Sequence, residues 1–153
     1  TYHYYLLIQP QQSALFNRHA GWYYRELDLE LMQQAANMLV GRHDFSAFRA
    51  SACQANTPTR NMRAITIERR ENMLRFSLTA NAFLHHMVRN IVGSLIEIGS
   101  GERSVDWIAQ LLALKDRTKA GMTAPASGLY FVQAYYPEHF ALPEASPAPV
   151  LAH

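Results

Sequence analysis

The stretch AFLHHMVRNIVGSLIEI, residues 82–98, constrains the fold of this chain more than any other. On a helical wheel at about 100° per residue, Phe83, Leu84, Met87, Val88, Ile91, Val92, Leu95 and Ile98 fill one broad arc. His85, His86, Arg89, Asn90, Gly93 and Glu97 fill the opposite arc, with Ile96 as the single apolar intruder. So wide an apolar face has to be buried against another layer. The pattern predicts a helix over 82–98, stopped by GSG at 99–101. On that wheel Arg89 sits between the two histidines, one turn on. Gly93 lies a further turn along and leaves open space beside Arg89. The polar stripe is therefore narrow and partly bare of side chain.

Its covering layer is also legible. TYHYYLLI at the start is aromatic and aliphatic, bounded by Pro10, and reads as a strand over 2–8. Residues 10–27 read as a loop. Asp28 is placed to cap a helix over LELMQQAANMLV, ended by Gly41. The segment 42–61 is small, polar and irregular. Arg63–Arg69 and Met73–Thr79 read as a hairpin turning across Arg70–Asn72. After the long helix, Ser104 is placed to cap VDWIAQLLALK. Residues 116–128 form a loop, and GLYFVQAYY, 128–136, a last strand. Strand, helix, strand, strand, helix, helix, strand is the order of an α+β fold, with helices on one face of a mainly antiparallel sheet. This makes one domain over 1–137. The tail 138–153 is an extended, proline-rich segment, since four of the seven prolines lie from Pro137 onward.

With 49% hydrophobic and 17% charged residues, the chain reads as globular and not as disordered. Net charge is only +2, yet twelve arginines stand against two lysines. Arginine is the planar, bidentate partner of carboxylates and phosphates, so the bias fits nucleic-acid contact or an arginine-preferring genome. Cys53 is the single cysteine, which rules out an intrachain disulfide and points to a reducing compartment. No apolar run approaches the roughly 20 residues needed to span a bilayer, and no signal peptide is visible. The chain opens in a strand without an initiator methionine. That reads as a piece of a longer protein, or as a chain whose leader or tag has been removed.

His85 and His86 fit no metal pattern: helical histidine ligands sit at i and i+4, whereas these diverge by about 100°. A histidine general base stays open, although no serine or cysteine arrangement supports it, and a solvated polar face is the usual outcome for such residues. Arg89 is sharper. A half-buried arginine needs an anionic partner, and Glu97 lies about 12 Å along the helix. The four aspartates, 28, 44, 106 and 116, are not at helical spacing from it. Arg89 meets solvent, or a folded-over aspartate, or a partner outside the chain.

NAFLHHMVRNIVGSL, followed by DRTKAGMTAPASGLYFV, with HDFSAFRA and TPTRN upstream, resembles the tRNA pseudouridine synthase A family from YHYY at 2–5 to YYP at 135–137. The resemblance is to the C-terminal part of that family's protein. It implies a pseudouridine-synthase-like fold and an RNA isomerase that converts uridine to pseudouridine in the anticodon stem-loop of tRNA. It further implies a cytoplasmic homodimer needing no metal or organic cofactor. The family's catalytic aspartate lies in a G-R-T-D-x-G-V-H motif that this sequence lacks. By resemblance, Arg89 pairs with that aspartate, Tyr2 lies against the target uracil, and Leu129 packs beneath the base. His85 and His86 flank the RNA channel. Arg49, Arg60 and Arg63 are candidates for phosphate contact, and Asp44 reads as a cap. With its nucleophile elsewhere, the chain alone is expected to be inactive. The alternative is a non-catalytic RNA-binding or dimerisation module.

Overall fold

Ring and branched side chains at Tyr2–Ile8 favour the extended backbone, and this segment forms an inner strand of the sheet, β1. The computed structural model of the chain describes residues 1–50 and 57–132. Gly21–Tyr23 forms β2, Gly41–Asp44 β3, Thr59–Arg70 β4, Met73–Ala80 β5 and Leu129–Phe131 β6. The sheet runs β2-β1-β5-β4-β3, with β6 also paired to β1. β5 takes one edge of β1. The other edge is shared: β6 pairs antiparallel with Tyr2–Tyr4, and β2 pairs parallel with Leu6–Ile8. Helices are α1, Leu29–Asn37; α2, Met87–Gly99; and α3, Trp107–Leu114.

Alternation along the strands sorts the two faces. Tyr4, Leu6 and Ile8 of β1 point into one buried cluster with Leu74, Phe76 and Leu78 of β5. All three helices close that cluster, through Met32 and Ala35 of α1, Ile91 and Leu95 of α2, and Ile108 and Leu111 of α3. An irregularity in β4 between Met62 and Ala64 shifts its phase, so that Met62 and Ile65 both face this core. Among the described residues, the reverse face carries a small cluster of Tyr5, Leu7, Ala20 and Met73. The result is an α+β fold with one antiparallel-dominated sheet, as its strand and helix order predicts.

Several local expectations are corrected. The hairpin turns at Glu71–Asn72, and Glu71 takes the positive φ, 55°, that a two-residue turn needs first. β4, however, begins at Thr59 and not at 63. Residues 10–27 are not all loop, because β2 lies within them; a three-residue strand carries too little pattern to stand out. Asp28 caps α1 as expected, its carboxylate accepting from the Leu31 amide at 3.1 Å. Gly41 does not end that helix; at φ 109° it opens β3 inside the segment expected to be irregular. α3 starts at Trp107, where Ser104 serves through its backbone carbonyl, 3.1 Å from the Trp107 amide, and not through its hydroxyl. The loop 116–128 contains short 3-10 turns at Arg117–Lys119 and Ala126–Gly128. The end of the last strand beyond 132, the tail 138–153 and Cys53 lie outside the described residues.

Candidate active site

α2 begins five residues later than the periodicity suggests. His86 adopts the left-handed conformation, φ 62°, which a right-handed helix cannot continue through. Helical spacing therefore does not apply to residues 82–86. The two histidines do not diverge on a wheel; their ring centroids lie 4.1 Å apart. His85 is exposed and His86 half-buried. Burial lowers the His86 pKa, and the charges of His85, Arg89 and Arg117 lower it further. The His85 carbonyl accepts from the Ala50 amide at 3.0 Å, tying this corner to the turn at Ser46–Phe48.

Arg89 lies in the first turn of α2 and is half-buried. Its Nε donates to the Ala124 carbonyl at 2.7 Å, and the Ala124 amide donates back to the Arg89 carbonyl at 3.0 Å. Among the described residues, no ion pair includes Arg89. The aspartates are occupied elsewhere. Asp28 caps α1, Asp44 accepts from the Ser46 amide at 2.8 Å, and Asp116 accepts from the Thr118 amide at 2.9 Å. Asp106 stands at the start of α3. No aspartate of this chain folds over onto Arg89. Asp44 is a turn cap, as its HDF context suggests. Burial alone would raise its pKa, but its hydrogen bonds to Ser46 and the charges of Lys115 and Arg49 hold it below the usual value.

The space beside Gly93 is not open. A Cβ there would lie 1.7 Å from the Met122 carbonyl oxygen, so the bare glycine lets the 120–124 backbone lie directly on α2. The segment is pinned again by Tyr4, whose hydroxyl donates to the Pro125 carbonyl at 2.7 Å. Burial pushes that hydroxyl well above its ordinary pKa, with Arg89 opposing only in part, so it stays a neutral donor. Gly128 completes the approach, since a Cβ would meet the Tyr5 carbonyl at 2.6 Å and the Tyr4 ring at 2.7 Å. Leu129 follows at once, opposite Tyr4 in the β1–β6 register.

These elements enclose a cleft of about 370 Å³ lined by Tyr2, Phe83, His85, His86, Arg89 and Leu129, among others. The Tyr2 ring is edge-on to Phe83 and Phe131, with centroids 5.0 and 5.5 Å away. Five of the eight candidate site residues singled out from the sequence thus share one cavity. Arg49 and Arg60 do not line it. Arg49 follows the Ser46–Phe48 turn near Asp44. Arg60 donates through one terminal nitrogen to the Thr57 and Thr59 carbonyls, at 2.8 and 2.7 Å. Arg63 stands on β4 at its irregularity. Asn90, placed on the polar arc by periodicity, is instead 1% exposed. It bonds to Phe48, Arg117 and Thr123, which lie 27 to 42 residues away, so no local spacing reveals it.

A family model described as tRNA pseudouridine synthase matches residues 35–137. The chain belongs to the tRNA pseudouridine synthase family. It is 49% identical over 142 residues to the tRNA pseudouridine synthase A of Hydrogenovibrio crunogenus, covering 93% of this chain and 54% of that protein. It is 55% identical over 128 residues to that of Idiomarina loihiensis, covering 84% and 49%, respectively. Against that of Yersinia pseudotuberculosis it is 48% identical over 149 residues, covering 97% and 56%. The chain spans about half the length of the curated relatives it matches. The stretch matched by the tRNA pseudouridine synthase model contains His85, His86, Arg89 and Leu129, whereas Tyr2 lies before it. Among the described residues no group of His, Cys, Asp or Glu is placed to hold a metal ion, and no helix is long and apolar enough to cross a membrane.

Proposed function

We propose that this chain forms one wall of the catalytic cleft of a cytoplasmic RNA isomerase that converts uridine to pseudouridine in the tRNA anticodon stem-loop. The observation that carries the reading is Arg89. It lines the cleft, is aimed by Ala124 through its Nε, and has no ion-pair partner among the described residues. A guanidinium held in this way presents a fork suited to a carboxylate. In this reading the carboxylate is the aspartate of a Gly-Arg-Thr-Asp motif in an upstream half, and Arg89 fixes its orientation and keeps it ionised.

Tyr2 and Leu129 take the base between them: the ring stacks on the flipped uracil, and the aliphatic side chain excludes water beneath it. The aspartate attacks the ribose or the base, and the bond from C1′ to N1 breaks. The uracil reorients, C5 joins C1′, the C5 proton leaves to solvent and N1 gains one. Reactant and product are isomers, so the balance requires no oxidant or second substrate. His85, exposed, and His86, half-buried, border the path of the RNA. Arg49 and Arg60 lie away from the base pocket, where phosphates of a bound stem-loop would pass. The working protein is a homodimer. Without the upstream carboxylate the chain binds RNA but does not turn over.

Tritium release from tRNA labelled at uridine C5 tests this, using the chain alone and the chain extended upstream. Release by the extended protein only is the expected result. Release by this chain alone would make one of Asp28, Asp44, Asp106 or Asp116 the nucleophile and overturn the reading.

A further inference from the structure

We propose that Asn90, Arg117 and Thr123 form a positioning unit for Arg89, fixing the Ala124 carbonyl that aims its guanidinium into the cleft. The inference rests on Arg89 being the partner of the nucleophilic carboxylate. Both ends of the buried Asn90 amide are used. Nδ2 donates to the Phe48 carbonyl at 2.8 Å, and Oδ1 accepts from Arg117 Nη2 at 3.1 Å and from the Thr123 hydroxyl at 2.5 Å. Arg117 Nη2 also donates to Thr123 Oγ1 at 3.0 Å, which closes a triangle. The hydroxyl spends its one proton on Asn90 and accepts from Arg117, so the donor and acceptor roles are mutually consistent.

Thr123 immediately precedes Ala124. The triangle therefore holds the residue next to it, Ala124, which bonds Arg89 twice: its carbonyl accepts from the Arg89 side chain and its amide donates to the Arg89 main-chain carbonyl. Asn90 is also the next residue after Arg89 on α2, so guanidinium and carbonyl are referred to the same turn of helix. An arginine side chain has several free torsions, and a single Nε anchor sets its direction only as well as the acceptor is itself held. The charge of Arg117 is one of those that lower the pKa of His86, which lines the cleft. A guanidinium displaced by about 1 Å costs rate more than affinity. This unit therefore acts on turnover.

The test is steady-state kinetics of the complete protein on tRNA, with Thr123→Val, Thr123→Ser and Arg89→Ala compared. Thr123→Val keeps the shape and removes the hydroxyl. It is expected to lower kcat about tenfold or more with KM within about twofold, while Thr123→Ser stays near the parent. The Arg89 Nε–H proton should exchange with solvent faster in Thr123→Val than in Thr123→Ser, read by NMR. If Arg89→Ala is inactive while Thr123→Val keeps full kcat, the positioning role is overturned and the function reading stands. If Arg89→Ala keeps activity, the function reading itself falls. Loss of kcat together with melting temperature, without rescue by Ser, would show a structural staple only and also overturn the inference. Should Thr123→Val not fold, the half-buried Arg117→Lys carries the same test, since it keeps the charge and loses the planar fork.

Discussion

Gly93 and Met122 meet more closely than any side chain at position 93 allows: an added Cβ would sit 1.7 Å from the Met122 carbonyl oxygen. That contact lays the 120–124 backbone on α2 and brings Ala124 to Arg89. Gly93→Ala therefore forces helix and loop apart. Overpacking of this kind costs about 1–3 kcal/mol. Gly101, at φ 87° with no atom of the described residues within 4 Å of an added Cβ, is the control; Gly101→Ala meets only left-handed strain of about 1 kcal/mol. Urea denaturation should rank Gly93→Ala below Gly101→Ala, and the reverse order would contradict the close approach.

Arg89→Ala removes the cleft's guanidinium from a site where nothing else in the described chain replaces it. Turnover of the complete protein should fall at least about 100-fold, the scale of losing one preorganised charged donor. The tRNA dissociation constant should move by only about threefold, because phosphate contacts carry most of the affinity. Arg89→Lys should recover little, since lysine keeps the charge but lacks the Nε donor that Ala124 accepts. Unchanged turnover in either variant removes Arg89 from the site.

Glu97 on α2 buries one carboxylate oxygen, Oε2, with no hydrogen-bond partner among the described residues. Burial raises its pKa above the ordinary 4.5, opposed by the charge of Arg103 and assisted by Glu102. The folded state thus binds this proton more tightly than the unfolded chain. Its stabilising effect is present below about 4.5 and is lost as pH rises through the folded value. Glu97→Gln is neutral throughout, so it should raise the melting temperature at pH 7 and not at pH 4. An equal rise at both pH values would assign the gain to something other than ionisation.

His3 behaves in the opposite sense. Its Nδ1 is buried on the reverse face of the sheet without a hydrogen-bond partner among the described residues, and its pKa is lowered first by burial, then by Arg75, with Glu68 opposing. A lowered folded value means the unfolded chain binds the proton better below the ordinary 6.5. His86, also lowered, acts in the same direction. Stability is therefore fully present above about 6.5 and declines as pH falls through the folded values. His3→Gln should flatten part of that decline between pH 7 and 5, and a curve identical to the parent would exclude His3 as a contributor.

Binding of tRNA should weaken as salt rises, because arginine–phosphate contacts release counterions, and log K should fall linearly with log salt concentration. Filter binding at several ionic strengths reads the slope. A flat response would separate the arginine excess from RNA contact.

Much of the fold was legible in the chain because it is written in short-range signals. The hairpin across Glu71–Asn72, the Asp28 cap and the apolar arc of α2 each depend on residues a few positions apart. The family, too, is written in local motifs around Arg89 and Leu129. The tertiary structure decided what those signals could not reach. It decided that α2 starts after His86, since a left-handed residue interrupts an otherwise helical pattern. It also decided that the His85 and His86 rings meet at a tilt, that Asn90 is buried, and that the room beside Gly93 belongs to Met122. The partners of Asn90 lie 27 to 42 positions away, and Tyr4 and Pro125 are separated by 121. Periodicity says which residues seek burial, but the groups that meet them depend on how distant segments close on the same sheet.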